Sequence, residues 1–309
     1  IKKGAKIAVP SFSFIATANC ALFVGARPVF VDIEEDRFGI DPDHLSTVLA
    51  KQKVDAVIPV HYAGGSCRIE EILKEAKRKN SIVIEDAAES FGCTSNGRMT
   101  GTLGTAGVLS FAPNKVITTG EGGAVVTDVK EIHDRLLLAR SHGRMDVAGN
   151  YFARSEASNY VGLGYNFRMP SMVAALGASQ LLKVEKIIDM RRKKAMYLNE
   201  RLGNIPGVKV PTEPKGCRHV YQIYSIRVPR EKRNGLSRSM KKAGIMSKVY
   251  FSPIHLTAFY KREFGYRGGE LPVTERVSKE ILSLPIYPHI AKKEMDLVSK
   301  EVRRFLVRA

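Results

Sequence analysis

Two periodicities alternate along the first two-fifths of the chain. Short apolar, β-branched runs occupy residues 6–9, 28–32, 55–60 and 82–84, and helix-period stretches fill 14–25, 42–51 and 69–79 between them. Strand–helix–strand alternation predicts a mostly parallel sheet with helices on both faces. Because both faces are covered, such strands read as nearly continuous apolar runs. Two further strand-like runs, 107–111 and 123–127, are separated by a turn region rich in Gly, Thr and Asn.

Residues 144–169 read as loop, with Gly149, Gly162, Gly164 and several aromatics. Pro170 is expected to open a long helix at its first position, where a missing N–H costs nothing, and Gly203 and Pro206 to stop it after Leu202. Beyond it, strand-like runs at 221–228 and 247–251 alternate with helices at 232–243, 272–282 and 292–306. The expected architecture is a large α/β domain over 1–202, including the linking helix, and a smaller C-terminal α/β domain over 203–309. No internal repeat is evident.

Composition narrows the class. Hydrophobic residues make up 44% of 309 positions, which excludes a disordered chain. No window approaches eighteen apolar residues, so no membrane partner is expected. Cys20, Cys67, Cys93 and Cys217 form no C-x-x-C pair, so neither a zinc site nor a disulfide framework is expected, and a reducing cytoplasm is. Lys and Arg number 49 against 31 Asp and Glu, a net charge of +18 that attracts anions of any kind. Most of the basic clusters at 77–79, 191–194, 230–233 and 241–242 fall on polar helix faces. No nucleic-acid motif accompanies them, and no nucleic-acid partner is expected. The chain opens at Ile1 with no visible signal peptide, and a truncated or processed start is expected.

Two segments carry chemistry. In Ile82-Val83-Ile84-Glu85-Asp86 a buried-strand pattern ends in two carboxylates. Ligands of open α/β sheets bind beyond the carboxyl ends of the strands, where Asp86 would stand; a helix N-cap is the other reading of that residue. In the second, Ser110-Phe111-Ala112-Pro113-Asn114-Lys115 runs into Thr118-Thr119-Gly120-Glu121-Gly122-Gly123. A loop of this kind offers N–H groups and hydroxyls to an anion, and its lysine could form a Schiff base; a surface lysine in a turn is the alternative. It is no Walker loop, since G-x-x-x-x-G-K-[ST] is missing. Together the two segments place an amine and an acid 29 residues apart with strand patterns on both sides, so both could reach one crevice at the sheet's edge, the pairing found in pyridoxal phosphate (PLP) enzymes.

With these segments, Val9-Pro10-Ser11-Phe12-Ser13-Phe14-Ile15-Ala16-Thr17, Pro59-Val60-His61, Glu85-Asp86-Ala87-Ala88-Glu89, Gly164-Tyr165-Asn166-Phe167-Arg168-Met169 and Leu284-Pro285 resemble the DegT/DnrJ-type (StrS-type) sugar aminotransferases of PLP fold type I. The resemblance covers nearly the whole chain and implies the fold of that class. It matches Lys115 to the lysine that carries the cofactor and Asp86 to the acid paired with the pyridinium nitrogen. Phe14 falls where an aromatic ring lies against the cofactor, and Glu89 beside the cofactor ring. Ser110 matches a phosphate-binding hydroxyl. Asn166 matches a residue reaching the phosphate of a neighbouring subunit, which implies a homodimer with shared sites. Arg168 and His255 fall on the substrate side.

The activity implied is transamination of a nucleotide-linked keto-sugar, with glutamate as donor. The Asn114–Gly123 segment looks closest to enzymes aminating C4 of a 4-keto-6-deoxy sugar, such as perosamine synthases. Relatives that dehydrate the sugar carry histidine in place of the lysine, so Lys115 points to amination. A regulatory PLP-fold binding protein is the alternative from another class. Relatives also carry an upstream Gly/Ser/Thr turn that binds the cofactor phosphate, before the segment matching 6–11, and without it weak PLP binding is expected.

Overall fold

The computed structural model describes residues 1–145 and 159–308. Half of the loop expected at 144–169, Gly149 included, lies outside the described residues. A six-stranded sheet organises the first half, built from β1 (Lys6–Pro10), β2 (Arg27–Val31), β3 (Ala56–Val57), β4 (Ile82–Asp86), β7 (Ala106–Ser110) and β8 (Gly123–Val126). The two-residue strands β5 (Thr94–Ser95) and β6 (Arg98–Met99) form a separate ribbon with β9 (Cys217–Arg218).

The sheet order is β2-β1-β3-β4-β7-β8, parallel except for the antiparallel edge strand β8. The mostly parallel sheet read from the sequence is therefore present. Helices α1 (Ala16–Phe23), α2 (Pro42–Lys51) and α3 (Ile69–Arg78) connect its parallel strands. The chemistry of the first turn fixes where α2 starts: Asp41 accepts a hydrogen bond from the Asp43 N–H, and Pro42 supplies a preset φ. Leu45, Val48 and Leu49 of α2 then pack with Ile69, Ile72 and Ala76 of α3 against Ala8, Val31, Val57 and Val83.

Several expected elements differ in extent. β3 is shorter than 55–60 because Pro59 offers no N–H to the ladder, which resumes as a single bridge between Val60 and Asp86. The expected long helix is two helices, α5 (Ser171–Leu181) and α6 (Val184–Leu202), with a break at Leu182 and Lys183. Pro170 stands one residue before α5 in extended conformation (ψ 144°), so it caps the helix from outside. A helix that the pattern did not suggest, α4 (Lys130–Arg140), follows β8.

The second half builds its own core. Ala195, Leu198 and Leu202 of α6 meet β10 (Tyr224–Arg227), α7 (Arg230–Lys242), β11 (Ile281–Leu284) and α10 (Lys292–Arg308). The helix expected at 272–282 ends at Glu280 as α9 (Pro272–Glu280); Ile281–Leu284 instead pairs antiparallel with Tyr224–Arg227, all four residues buried. The run 247–251 forms no strand, only a Lys248–Ser283 bridge, because the chain then turns back toward β1, where the Ile254 N–H bonds to the Ser11 carbonyl at 2.9 Å. That return brings Ile254, Tyr260 and Leu271, flanking or within α8 (Ala258–Phe264), onto Val9, Ala18 and Phe30. Asp32 completes the junction by accepting the N–H groups of Val273 and Thr274 at 2.9 and 2.8 Å, capping α9 from another element.

Leu198 is fully buried where α6 enters this second core. Leu198→Ala should lower the unfolding free energy by about 2–5 kcal/mol, the cost of lost burial plus cavity. Urea titration checks this; a loss under about 1 kcal/mol would mean the core collapses around the gap.

Candidate active site

The parallel strands β4 and β7 end side by side, with Asp86 in register with Val108, so Ser110 projects two residues further along the same edge. At this edge the sequence supplies acid, amine and hydroxyl. Asp86, half-buried, accepts from the Thr17 hydroxyl at 2.7 Å and from the Ala88 N–H at 3.2 Å. Thr17 has one proton and commits it to Asp86, so the Ser13 hydroxyl 2.7 Å away donates to Thr17. The turn after β1 is thereby tied to the end of β4, and Phe14 lies within that turn. The residue is 62% exposed, with its ring 6.5 Å from the Phe251 ring, and presents an open apolar surface.

Glu89 is buried one turn beyond Asp86. One carboxylate oxygen accepts the Ala63 N–H at 2.9 Å; the other lies 3.8 Å from the Lys115 ammonium. Burial pushes its pKa up, the Lys115 charge and the Ala63 N–H pull it back, and Asp86 adds to the rise. Ala63 achieves this contact in the left-handed region (φ 57°), a conformation costly for a residue with a Cβ. Lys115 occupies the loop between β7 and β8, with its side chain only 14% exposed. Its N–H bonds to the Ala112 carbonyl at 3.1 Å, and the Asn114 carbonyl accepts the side-chain amide of Gln222. Ser110 receives a long 3.4 Å bond from the Ala112 N–H.

Asp86, Glu89 and Lys115 thus meet at one sheet edge. Asn166 and Arg168 lie elsewhere, on an exposed stretch, with the Arg168 Nε donating to Asn166 Oδ1 at 3.1 Å. His255 is fully buried; its ring contacts the Ser11 hydroxyl at 2.6 Å and Glu275 at 3.2 Å. Thr17, Ser13 and Gln222 join the site although their residue types alone did not single them out. The four-residue spacing of Ser13 and Thr17 before α1 was the available signal for that pair. Gln222 had none, being 108 residues from its partner.

Glu85 serves the site from beneath. It is fully buried, and its two oxygens accept the N–H groups of Leu103 and Gly104 at 2.6 Å and of Gly101 at 2.9 Å, plus the His61 Nε2–H at 2.8 Å. A Cβ on Gly107 would lie 1.9 Å from the Gly101 carbonyl oxygen, so this turn can approach β7 only over a glycine.

The sequence pattern of the DegT/DnrJ/EryC1/StrS aminotransferase family matches residues 1–303. The chain belongs to that family. This aminotransferase is 33% identical over 312 residues to the spore coat polysaccharide biosynthesis protein SpsC of Bacillus subtilis, across 98% of this chain and 79% of that protein. It is 31% identical over 311 residues to GDP-perosamine synthase of Caulobacter vibrioides, across 99% of this chain and 81% of that one. Among solved structures it is similar to a DegT DnrJ EryC1 StrS aminotransferase from Brucella abortus, with a TM-score of 0.89 and 33% identity over 99% of this chain and 80% of that chain. The family, the enzyme class and the PLP fold type I architecture read from the motifs therefore hold. No described helix of the aminotransferase is long and apolar enough to cross a membrane.

The raised pKa of Glu89 has a consequence for stability. A carboxyl whose folded pKa exceeds its unfolded value contributes stability below the unfolded pKa, near 4.5, that is lost as pH rises through the folded one. Glu89→Gln keeps an acceptor for the Ala63 N–H and removes the titration. The variant should gain stability relative to wild type as pH rises above about 4.5. Melting temperatures across pH 4–8 check this, and parallel curves would show that Glu89 does not titrate abnormally.

Proposed function

We propose that this chain transfers an amino group from glutamate to a nucleotide-linked keto-sugar, a 4-keto-6-deoxy sugar in closest analogy, with PLP as cofactor. Members of this family are PLP-dependent. One observation carries the reading for this chain: a nearly buried lysine amine, an acid and a second carboxyl converge at the carboxyl edge of the sheet beside an open aromatic face. The donor set suits PLP. The Lys115 amine makes no hydrogen bond among the described residues, with Glu89 3.8 Å away, and so can be offered to an aldehyde. Asp86 keeps lone pairs beyond its bonds to Thr17 and Ala88 and can face a ring nitrogen.

Bound there, PLP would supply the electron sink that lets a substrate carbon lose its proton. The chain's own groups set the conditions. Asp86, fixed by Thr17, would keep the ring nitrogen protonated, and Phe14 would cover a ring face. Glu89 would stand beside the ring, and the Ser110 hydroxyl would meet the phosphate. Lys115 would hold the cofactor and, once released, move the proton as a free amine, with Glu89 close enough to steady its charge.

A homodimer completes the reading. Helix α5 is apolar yet has no buried residue, and Leu163, Phe167, Met172 and Leu182 are 91, 71, 85 and 90% exposed. An apolar stretch of this extent is typical of an interface. Asn166 lies within it, which supports its reaching the phosphate of a second copy, with Arg168 beside the substrate. His255, with both ring nitrogens engaged, is better read as a positioning residue. Four free thiols among the described residues support a cytoplasmic setting.

Lys115→Ala should abolish borohydride-fixed attachment of PLP; fixation that persists and maps to another lysine would overturn the assignment. Asp86→Asn preserves shape and removes the charge. It should still take up PLP while turnover falls by about 10²-fold or more, and near-normal turnover would reduce Asp86 to a capping role.

A further inference from the structure

A second concave site lies beside the Lys115 loop, on the side of β10 and β11. It is a cavity of about 860 Å³, within the range that holds small-molecule ligands. Four cationic residues line it, Arg191, Arg238, Lys241 and Lys248, and no carboxylate does. A basic surface lysine or two would mean little. Arg191 is different, because it is only 6% exposed. Its Nη1 donates to the carbonyls of Tyr221, Gln222 and Ile286 at 3.2, 3.3 and 3.5 Å. Among the described residues its Nε has no hydrogen-bond partner, and no acid pairs with it. Burial draws its pKa down to about 10, which leaves the guanidinium charged near neutrality. A buried cation held only by carbonyls, with one N–H unpaired, is costly, because buried charges are normally paired.

Gln222 refines the chemistry. It is 5% exposed; its amide nitrogen holds the Asn114 carbonyl, and its Oε1 is buried without a partner. An anion alone would satisfy Arg191 and be repelled by that oxygen. A ligand with an oxyanion and a hydroxyl would satisfy both, the oxyanion on the Nε edge of the guanidinium and the hydroxyl on Oε1.

From this combination we propose that the cavity binds a hydroxyl-bearing phosphate ester, such as a sugar phosphate or nucleotide. Arg191 and Gln222 form its floor, and Arg238, Lys241 and Lys248 its rim. The ligand is an effector separate from the reaction's own substrate, and Gln222 links it to the lysine loop, because the same side chain touches the residue before Lys115.

The purified chain is titrated with glucose 1-phosphate, and with sodium sulfate at matched ionic strength, following the melting temperature. A ligand that binds the folded state alone raises it saturably. Glucose 1-phosphate should do so more strongly than sulfate. The double variant Arg238→Glu/Lys241→Glu, which alters only the rim, should weaken binding about tenfold or more while folding normally. Arg191→Lys, which keeps the charge and loses the fork, should weaken it as well. No saturable effect, equal response to sulfate, or unchanged affinity in the rim variant would each overturn the proposal. A repeat with PLP present separates the sources. Unchanged glucose 1-phosphate binding places it apart from the cofactor, as expected, and mutual exclusion would show that the phosphate had occupied the cofactor's own site. Because the readout needs no turnover, failure here leaves the transamination reading standing, and loss of activity in Lys115→Ala leaves this proposal standing.

Discussion

The end of β4 imposes the constraint on which the rest depends: three carboxylates, Glu85, Asp86 and Glu89, lie within five residues at the edge of a buried sheet. Taking a carboxylate out of water costs several kcal/mol unless hydrogen bonds replace its hydration. Glu85 is replaced in full, by three backbone N–H groups and His61, each bond to a charged group being worth about 1.5–3 kcal/mol. That solution makes it a structural clasp that fixes the turn at 101–104 against β7. Asp86 is only partly satisfied, and Glu89 is satisfied on one side and faces an amine on the other. The graded completeness of hydrogen bonding divides three like groups into one that builds and two that can act.

Much of this arrangement is visible in the residue pattern, and the reasons for the rest are physical. The sheet could be read because strands buried on both faces leave apolar runs that no amphipathic helix would show. Asp86 and Lys115 each have an ordinary use, as a helix N-cap and as a surface lysine in a turn, and only their combination with the family motifs singled them out. Glu85 was hidden. It stands inside the run, where a carboxylate reads as an error, until the N–H groups of Gly101, Leu103 and Gly104 are seen around it. The 281–284 strand was concealed because a fully buried run has no alternation to separate it from the preceding helix. The break within 170–202 leaves no signal of its own, since Leu182 and Lys183 are both good helix formers.

The site also depends on contacts across great sequence distances. Ala63 and Tyr221 both adopt left-handed backbone, with φ of 57° and 49°. The Ile223 N–H bonds to the Ala63 carbonyl at 3.1 Å, and the Val220 N–H to the Gly64 carbonyl at 2.8 Å. These bonds hold two strained turns against each other, each restraining its partner. One turn delivers its N–H to Glu89, and the other leads into Gln222, which grips the loop of Lys115. The lysine is therefore positioned by a segment more than a hundred residues downstream. A displacement of α6 or β10 would reach the amine through Gln222 without any change at the sheet edge.

Charge operates on two scales. A net charge of +18 is spread over the surface, and at physiological ionic strength its influence decays over about 8 Å. It can speed the arrival of an anionic substrate, yet it cannot fix the position of an enclosed amine. That task falls to neighbours at contact distance, above all Glu89 at 3.8 Å from the Lys115 amine. The two scales also differ in what screens them. Salt weakens the approach of an anion from solution, but the Glu89–Lys115 pair, with side chains 10 and 14% exposed, is largely shielded from it. Attraction for anions and control of the amine are thus carried by separate residues, and an acidic centre inside a basic chain is no contradiction.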